Sequence, residues 1–242
     1  MNDETYFHRL QQLSLMITPP HECSYLAHQK AATLFVDPQI PLNMAYYDLL
    51  AQLGFRRSGE HIYRPHCAQC DECKAVRINV ANFRLSSSQK RILNKNQAVS
   101  LTWRDAGFDE THFTLYQHYM NERHHDSSMN NDDPTQYMHI IETDWCKTRL
   151  GEFHINDKLV AVAITDWLSM GLSAVYTFFD MGLSSHSLGT YAILKQIETA
   201  QATGRDYVYL GYWIKNCQKM AYKDRFSATE IFNGQHWQIL NP

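Results

Sequence analysis

Three cysteines in the stretch RPHCAQCDEC, residues 64–73, stand at a spacing that metal sites use: Cys67, Cys70 and Cys73. Two thiolates with two residues between them can fold back onto one Zn²⁺ ion. A tetrahedral thiolate site needs four ligands, and this stretch supplies three. Cys23 in PHECSYL or His66 is the candidate for the fourth position. The alternative is that these are reduced thiols packed under a loop.

A second stretch with chemical potential, YVYLGYWIKNCQKMAYKDRF at residues 207–226, is dense in tyrosine and lysine. Its phenols can donate hydrogen bonds to a carbonyl or a ribose, and its lysines can meet phosphate. The candidates are Tyr209, Tyr212, Tyr222, Lys219 and Lys223. For the aromatic residues, packing on a sheet face is the competing interpretation.

An acid follows the predicted strand VYTFFD and precedes a predicted helix. This residue, Asp180, is placed where a general base can act on an amine. A helix cap or a turn is the alternative for an aspartate at such a position.

Charge divides the chain into unlike parts behind a net charge of −3. The run from Lys74 to Arg104 holds seven basic residues and no acid, whereas eleven acids lie between Asp105 and Asp157. Basic residues in and just before that run are candidates for phosphate or substrate binding: Arg56, Arg57, Arg77, Lys90 and Arg91. The asymmetry favours a nucleic-acid-facing surface in the first part, with a solvated face as the alternative.

The composition excludes several classes of protein. With 242 residues and 44% apolar residues, the chain can bury a sizeable core. The start, MNDETYFHRL, has no basic region followed by an apolar run, and no apolar stretch reaches the ~18 residues that span a bilayer. We therefore expect a cytoplasmic protein without a membrane partner, whose cysteines are reduced.

The helices and strands that must position these residues can be predicted from capping and turn residues and from the periodicity of apolar residues. A basic, cysteine-containing α/β domain is predicted over residues 1–98, and a second domain over 99–242. In the second, three antiparallel strands precede a helix that Ser187 caps, and a strand and a hairpin follow. This order predicts an α+β fold with a mixed, mainly antiparallel sheet, as in acyltransferases of the GNAT type. There, the free N–H groups of such a helix face the acyl donor.

Several segments together resemble one family, the bacterial aspartate/glutamate leucyltransferases, which are relatives of the eukaryotic arginyl-tRNA–protein transferases. The resemblance runs from about residue 20 to 230. In the first half it rests on CSYL, ATLFVDP, YYDLLAQLGFRRSGEHIYRPHC, CDEC and VRINVANFRLSSSQKR. In the second half it rests on YMNERHHDSSM, AVYTFFD, SLGTYAILKQIE and YLGYWIKNCQKMAYKDRF.

The resemblance implies an aminoacyltransferase with leucyl-tRNA as donor and proteins with amino-terminal Asp or Glu as acceptors. The product is marked for degradation by the N-degron pathway, so the degradation machinery is an indirect partner. In the eukaryotic relatives an amino-terminal cysteine set is linked to iron–sulfur or zinc binding. Here the corresponding set is Cys23, Cys67, Cys70 and Cys73. The transfer chemistry itself requires no cofactor.

Roles for individual residues follow as hypotheses from the resemblance and the residue chemistry together. Asp180 orients or deprotonates the attacking amine, and Tyr176 or Tyr212 stabilises the tetrahedral oxyanion. The helix beginning at Ser187 holds the ester or the terminal adenosine. One of three arginines pairs with the acidic side chain of the protein substrate: Arg56, Arg57 or Arg77.

Two other functions remain as alternatives. A GNAT-type enzyme that uses acyl-CoA needs a Gly-rich pyrophosphate loop before the helix, and MGLSSHSLGT matches that pattern poorly. A non-enzymatic adaptor would bind tRNA or degrons through the basic, cysteine-containing part without forming a product.

Overall fold

The computed structural model describes residues 13–123 and 133–240. The first half of the chain forms short strands and two helices. They are β1 (Leu15–Ile17), β2 (His21–Glu22), β3 (Lys30–Ala31), β4 (Thr33–Val36), α1 (Met44–Gln52), β5 (Arg56–Ser58), β6 (His61–Pro65), β7 (Lys74–Asn79) and α2 (Ser87–Lys95).

The second half has longer strands and helices. They are β8 (Ser100–Asp105), α3 (Glu110–Arg123), α4 (Pro134–Ile141), β9 (Thr148–Ile155), β10 (Lys158–Trp167), β11 (Gly171–Phe179), α5 (Leu188–Ala202), β12 (Tyr207–Trp213), α6 (Gln218–Ala221), β13 (Thr229–Phe232) and β14 (Trp237–Ile239). Two 3₁₀ helices, Met181–His186 and Tyr222–Arg225, precede α5 and follow α6.

The strands form one large sheet and two small ones. The large sheet has eight strands in the order β14-β13-β7-β12-β11-β10-β9-β8, and its pairs are antiparallel except for β11 with β12. An antiparallel four-stranded sheet, β1-β4-β6-β5, stands beside it, and β2 pairs with β3. The predicted α+β class with a mixed, mainly antiparallel sheet is confirmed.

The position of strand β7 affects how the chain can be divided into domains. It comes from the segment before residue 98, yet it lies between β12 and β13 in the large sheet. The predicted boundary between 98 and 99 stays a prediction, and any cut there separates strands that share one sheet.

Side chains cap helices α1 and α2, whereas α5 begins differently. Ser86 and Gln89 form a capping box at the start of α2, and Asn43 accepts from the Tyr46 amide at the start of α1. Ser187 precedes α5 as expected, but its side chain makes no capping hydrogen bond, because the residue is in the left-handed conformation with φ 52°. Ser187 is thus the N-cap residue of α5, as predicted, but it caps the helix without a side-chain hydrogen bond.

Helices cover both faces of the large sheet. Residues of α3 and α4, including Tyr116 and Tyr137, pack on one face with Val162 and Phe178. On the other face, Tyr191 of α5 packs with Ala163 and its neighbours. The alternation of partners along β10 places α3 and α5 on opposite sides of the sheet. Among the described helices, none has both the length and the apolar character required to cross a bilayer.

The parallel strands β11 and β12 separate after a short paired region. They pair from Gly171 opposite Tyr207 to Ser173 opposite Tyr209, while β12 goes on to pair with β7 as far as Trp213. Gly211, with φ 77°, lies at the irregularity in that second ladder. We call the resulting gap, between residues 174–179 of β11 and residues 210–213 of β12, the notch. In the part of the chain that the structure describes, no strand pairs with the backbone groups that face the notch.

Candidate active site

A cluster of phenols borders the notch on the side of α3. The hydroxyl of Tyr176, on β11, contacts the sulfur of Met120 at 3.5 Å, and the rings of Tyr176 and Tyr119 are 6.2 Å apart. Tyr222, in the second 3₁₀ helix, lies close enough to Tyr119 for their charges to interact. Strand β11, helix α3 and the segment after β12 thus bring three tyrosines together at one place.

These phenols stay protonated at neutral pH. Burial raises the pKa of Tyr176 far above its ordinary value, and the neighbouring phenols of Tyr119 and Tyr116 add to the rise. Burial also raises the pKa of Tyr119 and of Tyr222. The Tyr176 hydroxyl also hydrogen-bonds with Tyr119, so it lies between a thioether, which is a weak acceptor, and a neighbouring phenol.

Asp180 stands at the far end of β11 and not beside Tyr176. Its carboxylate accepts from Lys158 Nζ at 3.0 Å and from the Gly182 amide at 3.0 Å. Asp180 also lines a cleft of about 550 Å³ along α3. Four carboxylates line this cleft: Glu110, Glu122, Asp157 and Asp180. Asp180 follows Tyr176 by four residues, which places their backbone positions about 13 Å apart along the strand direction.

Tyr212 and Tyr209 turn towards the first half of the chain. The hydroxyl of Tyr212 donates to the backbone carbonyls of Gly54 and Tyr63, at 3.0 and 3.1 Å. Tyr209 is buried beneath Arg56, whose guanidinium carbon is 4.9 Å from the ring centroid. In the structure these two rings join the large sheet to the amino-terminal segments.

The three arginines predicted to pair with a substrate are all engaged inside the protein. Arg57 binds both oxygens of Asp166 at 2.8 Å, and both side chains are fully buried. Arg77 pairs with Glu230 at 2.7 Å and stacks on aromatic rings. Arg56 is buried and donates to the backbone carbonyls of residues 51, 55 and 76.

The two lysines of the carboxy-terminal stretch differ in exposure. Lys219 is exposed, in keeping with the predicted phosphate contact. Lys223 is buried, and its Nζ donates to the carbonyl of Tyr212 at 2.6 Å. Burial lowers the pKa of Lys223 to about 8. Its ammonium group is therefore directed at the backbone of β12 next to the notch.

The predicted basic surface is exposed on α2. Lys90 and Arg91 face solvent on this helix. Lys95, at its end, donates to the carbonyl of Ser185 at 2.9 Å, two residues before the exposed Ser187. The structure thus places a row of cations next to the start of α5.

The predicted metal ligands line one cleft. Cys23, Cys67, Cys70 and Cys73 border a space of about 450 Å³. Burial raises the pKa of Cys73 to about 12, and the three other sulfurs add to the rise, which shows that the thiols are near neighbours. Four thiols are a suitable donor set for zinc or an iron–sulfur cluster. Within residues 13–123 and 133–240, however, no three potential ligands are positioned to hold an ion, and the metal site stays a prediction.

Sequence reasoning missed the contribution of α3 to the site. Tyr119, Met120 and Arg123 belong to YMNERHHDSSM, a segment that carries the family resemblance but whose residues received no role. The resemblance itself was the available signal. The later part of that segment, from His124, lies outside the described residues.

Together, the mixed sheet, the notch between its parallel strands and the helix that follows define a GNAT-like acyltransferase. The family profile described as "Arginine-tRNA-protein transferase, N terminus" matches residues 21–91, and that described as "Arginine-tRNA-protein transferase, C terminus" matches residues 111–233. The chain belongs to this arginine-tRNA–protein transferase family.

Relatives match over nearly the whole chain. An aspartate/glutamate leucyltransferase of Pseudomonas fluorescens (strain Pf0-1) is 45% identical, with 96% of this chain and 99% of the relative covered. One of Chromohalobacter salexigens is 45% identical over 100% of this chain and 99% of its own length. One of Pseudomonas aeruginosa (strain LESB58) is 43% identical, covering 96% and 98%.

A solved structure shows a weaker similarity. The carboxy-terminal domain of a putative lysylphosphatidylglycerol synthetase from Agrobacterium fabrum aligns with a TM-score of 0.43 at 9% identity. The alignment covers 59% of this chain and 47% of that one.

Proposed function

We propose that this protein transfers leucine from leucyl-tRNA to the amino-terminal Asp or Glu of proteins. The near-full-length identity to aspartate/glutamate leucyltransferases supports the substrates. The observation that carries the proposal in the structure is the notch, where a neutral, half-buried phenol borders strand backbone that no described strand pairs with. An extended acyl donor can fit into such a gap and pair with its backbone groups, as an additional strand would.

The reaction needs positioning more than activation. The α-amine of the acceptor attacks the ester carbonyl carbon of leucyl-tRNA, the bond to the ribose oxygen breaks, and the amine proton passes to that oxygen. An α-amine has a pKa of about 8, so a useful fraction is neutral without a dedicated base. Tyr176 donates a hydrogen bond to the oxyanion of the tetrahedral intermediate, and its raised pKa keeps it a donor.

The acceptor end of leucyl-tRNA lies along the basic helix α2. Lys90 and Arg91 of α2 contact phosphates of the tRNA acceptor end, and Lys95 leads to the start of α5 beside Ser187. The exposed N–H groups of α5 hold the terminal nucleotide, and the ester lies in the notch. Lys219, exposed after β12, adds a further phosphate contact.

A metal at the four cysteines has no step in this reaction. If zinc or an iron–sulfur cluster binds there, Cys23, Cys67, Cys70 and Cys73 hold it and it clasps the amino-terminal segments to the loop after β6. Metal analysis of the purified protein beside Cys23→Ala tests this part of the proposal. Equal metal content near zero in both proteins rejects it.

The cellular setting follows from the substrates. Leucyl-tRNA is a cytoplasmic metabolite, so we place the protein in the cytoplasm. Leucine added to an acidic amino terminus marks the product for the N-degron degradation machinery, which is an indirect partner.

One experiment separates the proposal from its alternatives. The protein is incubated with radiolabelled leucyl-tRNA and a peptide beginning with Asp, with and without acyl-CoA. Label in the peptide without CoA supports the proposal. Dependence on CoA indicates the acyl-CoA enzyme, and binding of tRNA or peptide without product indicates an adaptor.

The role of Asp180 is tested in the same assay. If Asp180 is the base, as the sequence predicts, Asp180→Asn abolishes transfer while tRNA stays bound. If the chemistry occurs beside Tyr176 without Asp180, Asp180→Asn keeps most of its turnover, because the backbone positions of the two residues are about 13 Å apart along the strand direction.

A further inference from the structure

An acidic acceptor requires a cation near the reacting carbonyl. The side-chain carboxylate of an amino-terminal Asp or Glu is only a few bonds from the attacking amine. A cation that selects this carboxylate must therefore lie beside the notch. Arg57 and Arg77 are paired with Asp166 and Glu230, and Arg56 is buried against backbone carbonyls, so none of them is available.

Arg123, at the end of α3, lies beside the phenol cluster. Its guanidinium carbon is 5.8 Å from the ring centroid of Tyr119. Its positive charge also lowers the pKa of Tyr119, Tyr176 and Tyr222 against the larger effect of burial. A single charge that acts on all three phenols must stand close to all of them, because Coulomb interactions near a protein surface weaken quickly with distance.

Arg123 also differs in its pairing from two other arginines near the sheet. Arg104 and Arg149 pair with Glu152 and Asp105. Within the parts of the chain that the structure describes, no carboxylate lies within ion-pair distance of Arg123, and its side chain is exposed. An arriving carboxylate would thus meet an exposed guanidinium that no carboxylate of the described residues neutralises.

The surroundings of Arg123 suit a negatively charged carboxylate better than a positively charged ammonium group. The three phenols are neutral and can donate hydrogen bonds, and their burial excludes water from one side of the site. A guanidinium that presents two parallel N–H donors matches the two oxygens of a carboxylate. An amide side chain of the same shape, Asn or Gln, cannot neutralise the charge.

We propose that Arg123 binds the side-chain carboxylate of the acceptor's amino-terminal Asp or Glu and so determines acceptor specificity. The inference rests on the proposed leucyl transfer and adds the residue that reads the acceptor. Tyr176 acts on the ester, whereas Arg123 acts on the acceptor side chain, so the two residues affect different measurements.

The test compares matched acceptors in wild type and Arg123→Ala. Peptides that begin with Asp, Asn, Glu and Gln but are otherwise identical are titrated at saturating leucyl-tRNA. Wild type should prefer Asp over Asn and Glu over Gln by about 100-fold in kcat/KM. Arg123→Ala should lose this preference by slowing the acidic peptides only, and Arg123→Lys should keep part of it.

Three controls make the result decisive. Arg149→Ala removes a half-exposed arginine that is paired elsewhere and should leave the preference intact. The KM for leucyl-tRNA in Arg123→Ala should equal that of wild type. Absence of leucine transfer by wild type would reject the proposed function itself. Normal transfer with a preserved Asp-over-Asn preference in Arg123→Ala, or an equal loss for all four peptides, would overturn the role of Arg123.

Discussion

At the scale of single residues, the proposed site depends on a phenol that keeps its proton at neutral pH. Tyr176 is half-buried, its pKa is raised, and its hydroxyl contacts the sulfur of Met120 and hydrogen-bonds with Tyr119. These properties make it a donor that is ready for an oxyanion. The phenol of Tyr212 already donates to a backbone carbonyl, so it is less available as a donor to an oxyanion.

Replacing the Tyr176 hydroxyl should slow the chemical step. We expect Tyr176→Phe to lower kcat by about 10²-fold, since removal of one oxyanion donor has effects of that size. The KM for leucyl-tRNA should change little. Single-turnover transfer with labelled leucyl-tRNA measures the effect.

Tyr137→Phe provides the matched control in the same aromatic cluster. Among residues 13–123 and 133–240, none hydrogen-bonds to the buried Tyr137 hydroxyl, so its removal should leave kcat unchanged and should not destabilise the fold. Equal turnover in wild type and Tyr176→Phe would remove Tyr176 from the mechanism.

Residue types were predictable from the sequence, whereas their surroundings were not. The sequence indicated that an arginine reads the acidic acceptor, and it offered Arg56, Arg57 and Arg77. Their burial depends on acids far along the chain, Asp166 and Glu230, which only the tertiary fold brings near. No pattern in the sequence distinguishes Arg123 from other arginines. Its position beside Tyr176 and Tyr222 becomes evident only in the folded structure.

At the scale of elements, the notch arises where β11 and β12 pair over three residues and then part. Periodicity predicted both strands, the helix α5 between them and the hairpin around Asn233-Gly234. It did not predict the loss of pairing, since pairing depends on register and on β7, a strand from elsewhere in the sequence. The elements were thus predictable, and the gap between them was not.

The basic helix α2 should control binding of tRNA and not the chemical step. We expect Lys90→Glu with Arg91→Glu to raise the KM for leucyl-tRNA at least tenfold with little change in kcat. Each lost phosphate contact should also reduce the slope of log affinity against log salt by about one. Binding measured across a salt series tests this, with exposed Lys147→Glu as the control.

The segment after β12 holds a buried lysine that makes stability depend on pH. The pKa of Lys223 is lowered to about 8, below its unfolded value of 10.5. Between these values the unfolded chain binds the extra proton, so stability rises with pH. Relative to Lys223→Met, wild type should gain on the order of 3 kcal/mol between pH 8 and 10.5.

Thermal unfolding of both proteins across that pH range measures the difference. Lys219→Met, in the same segment but exposed, should show no such change. A difference between wild type and Lys223→Met that stays constant from pH 7 to pH 10 would contradict the buried, charged environment of Lys223.

At the scale of the whole molecule, the two halves of the chain share their core. Strand β7 of the first half is central to the large sheet, and Arg57 of the first half is bound to Asp166 of the second. Tyr47 and Thr148 also donate to Asp166, at 3.1 and 2.8 Å. The proposed tRNA surface on α2 and the proposed site beside Tyr176 therefore belong to one shared core.

Breaking the buried pair should destabilise the whole chain. Asp166→Asn leaves the guanidinium of Arg57 buried without its counter-charge, and we expect a loss of about 3–5 kcal/mol in the free energy of unfolding. Asp105→Asn, which removes the exposed partner of Arg149, should cost less than about 1 kcal/mol. Urea unfolding followed by tryptophan fluorescence compares them, and equal losses would contradict the bridging role of Asp166.

The most direct measurement of the central claim is the identity of the product. Purified protein, leucyl-tRNA and a peptide beginning with Asp are combined, and the peptide is sequenced by tandem mass spectrometry. The account predicts one leucine joined by an amide bond to the amino-terminal Asp, and no product from a matched peptide beginning with Ala. An unmodified Asp peptide in the presence of intact leucyl-tRNA, or equal modification of the Ala peptide, would contradict it.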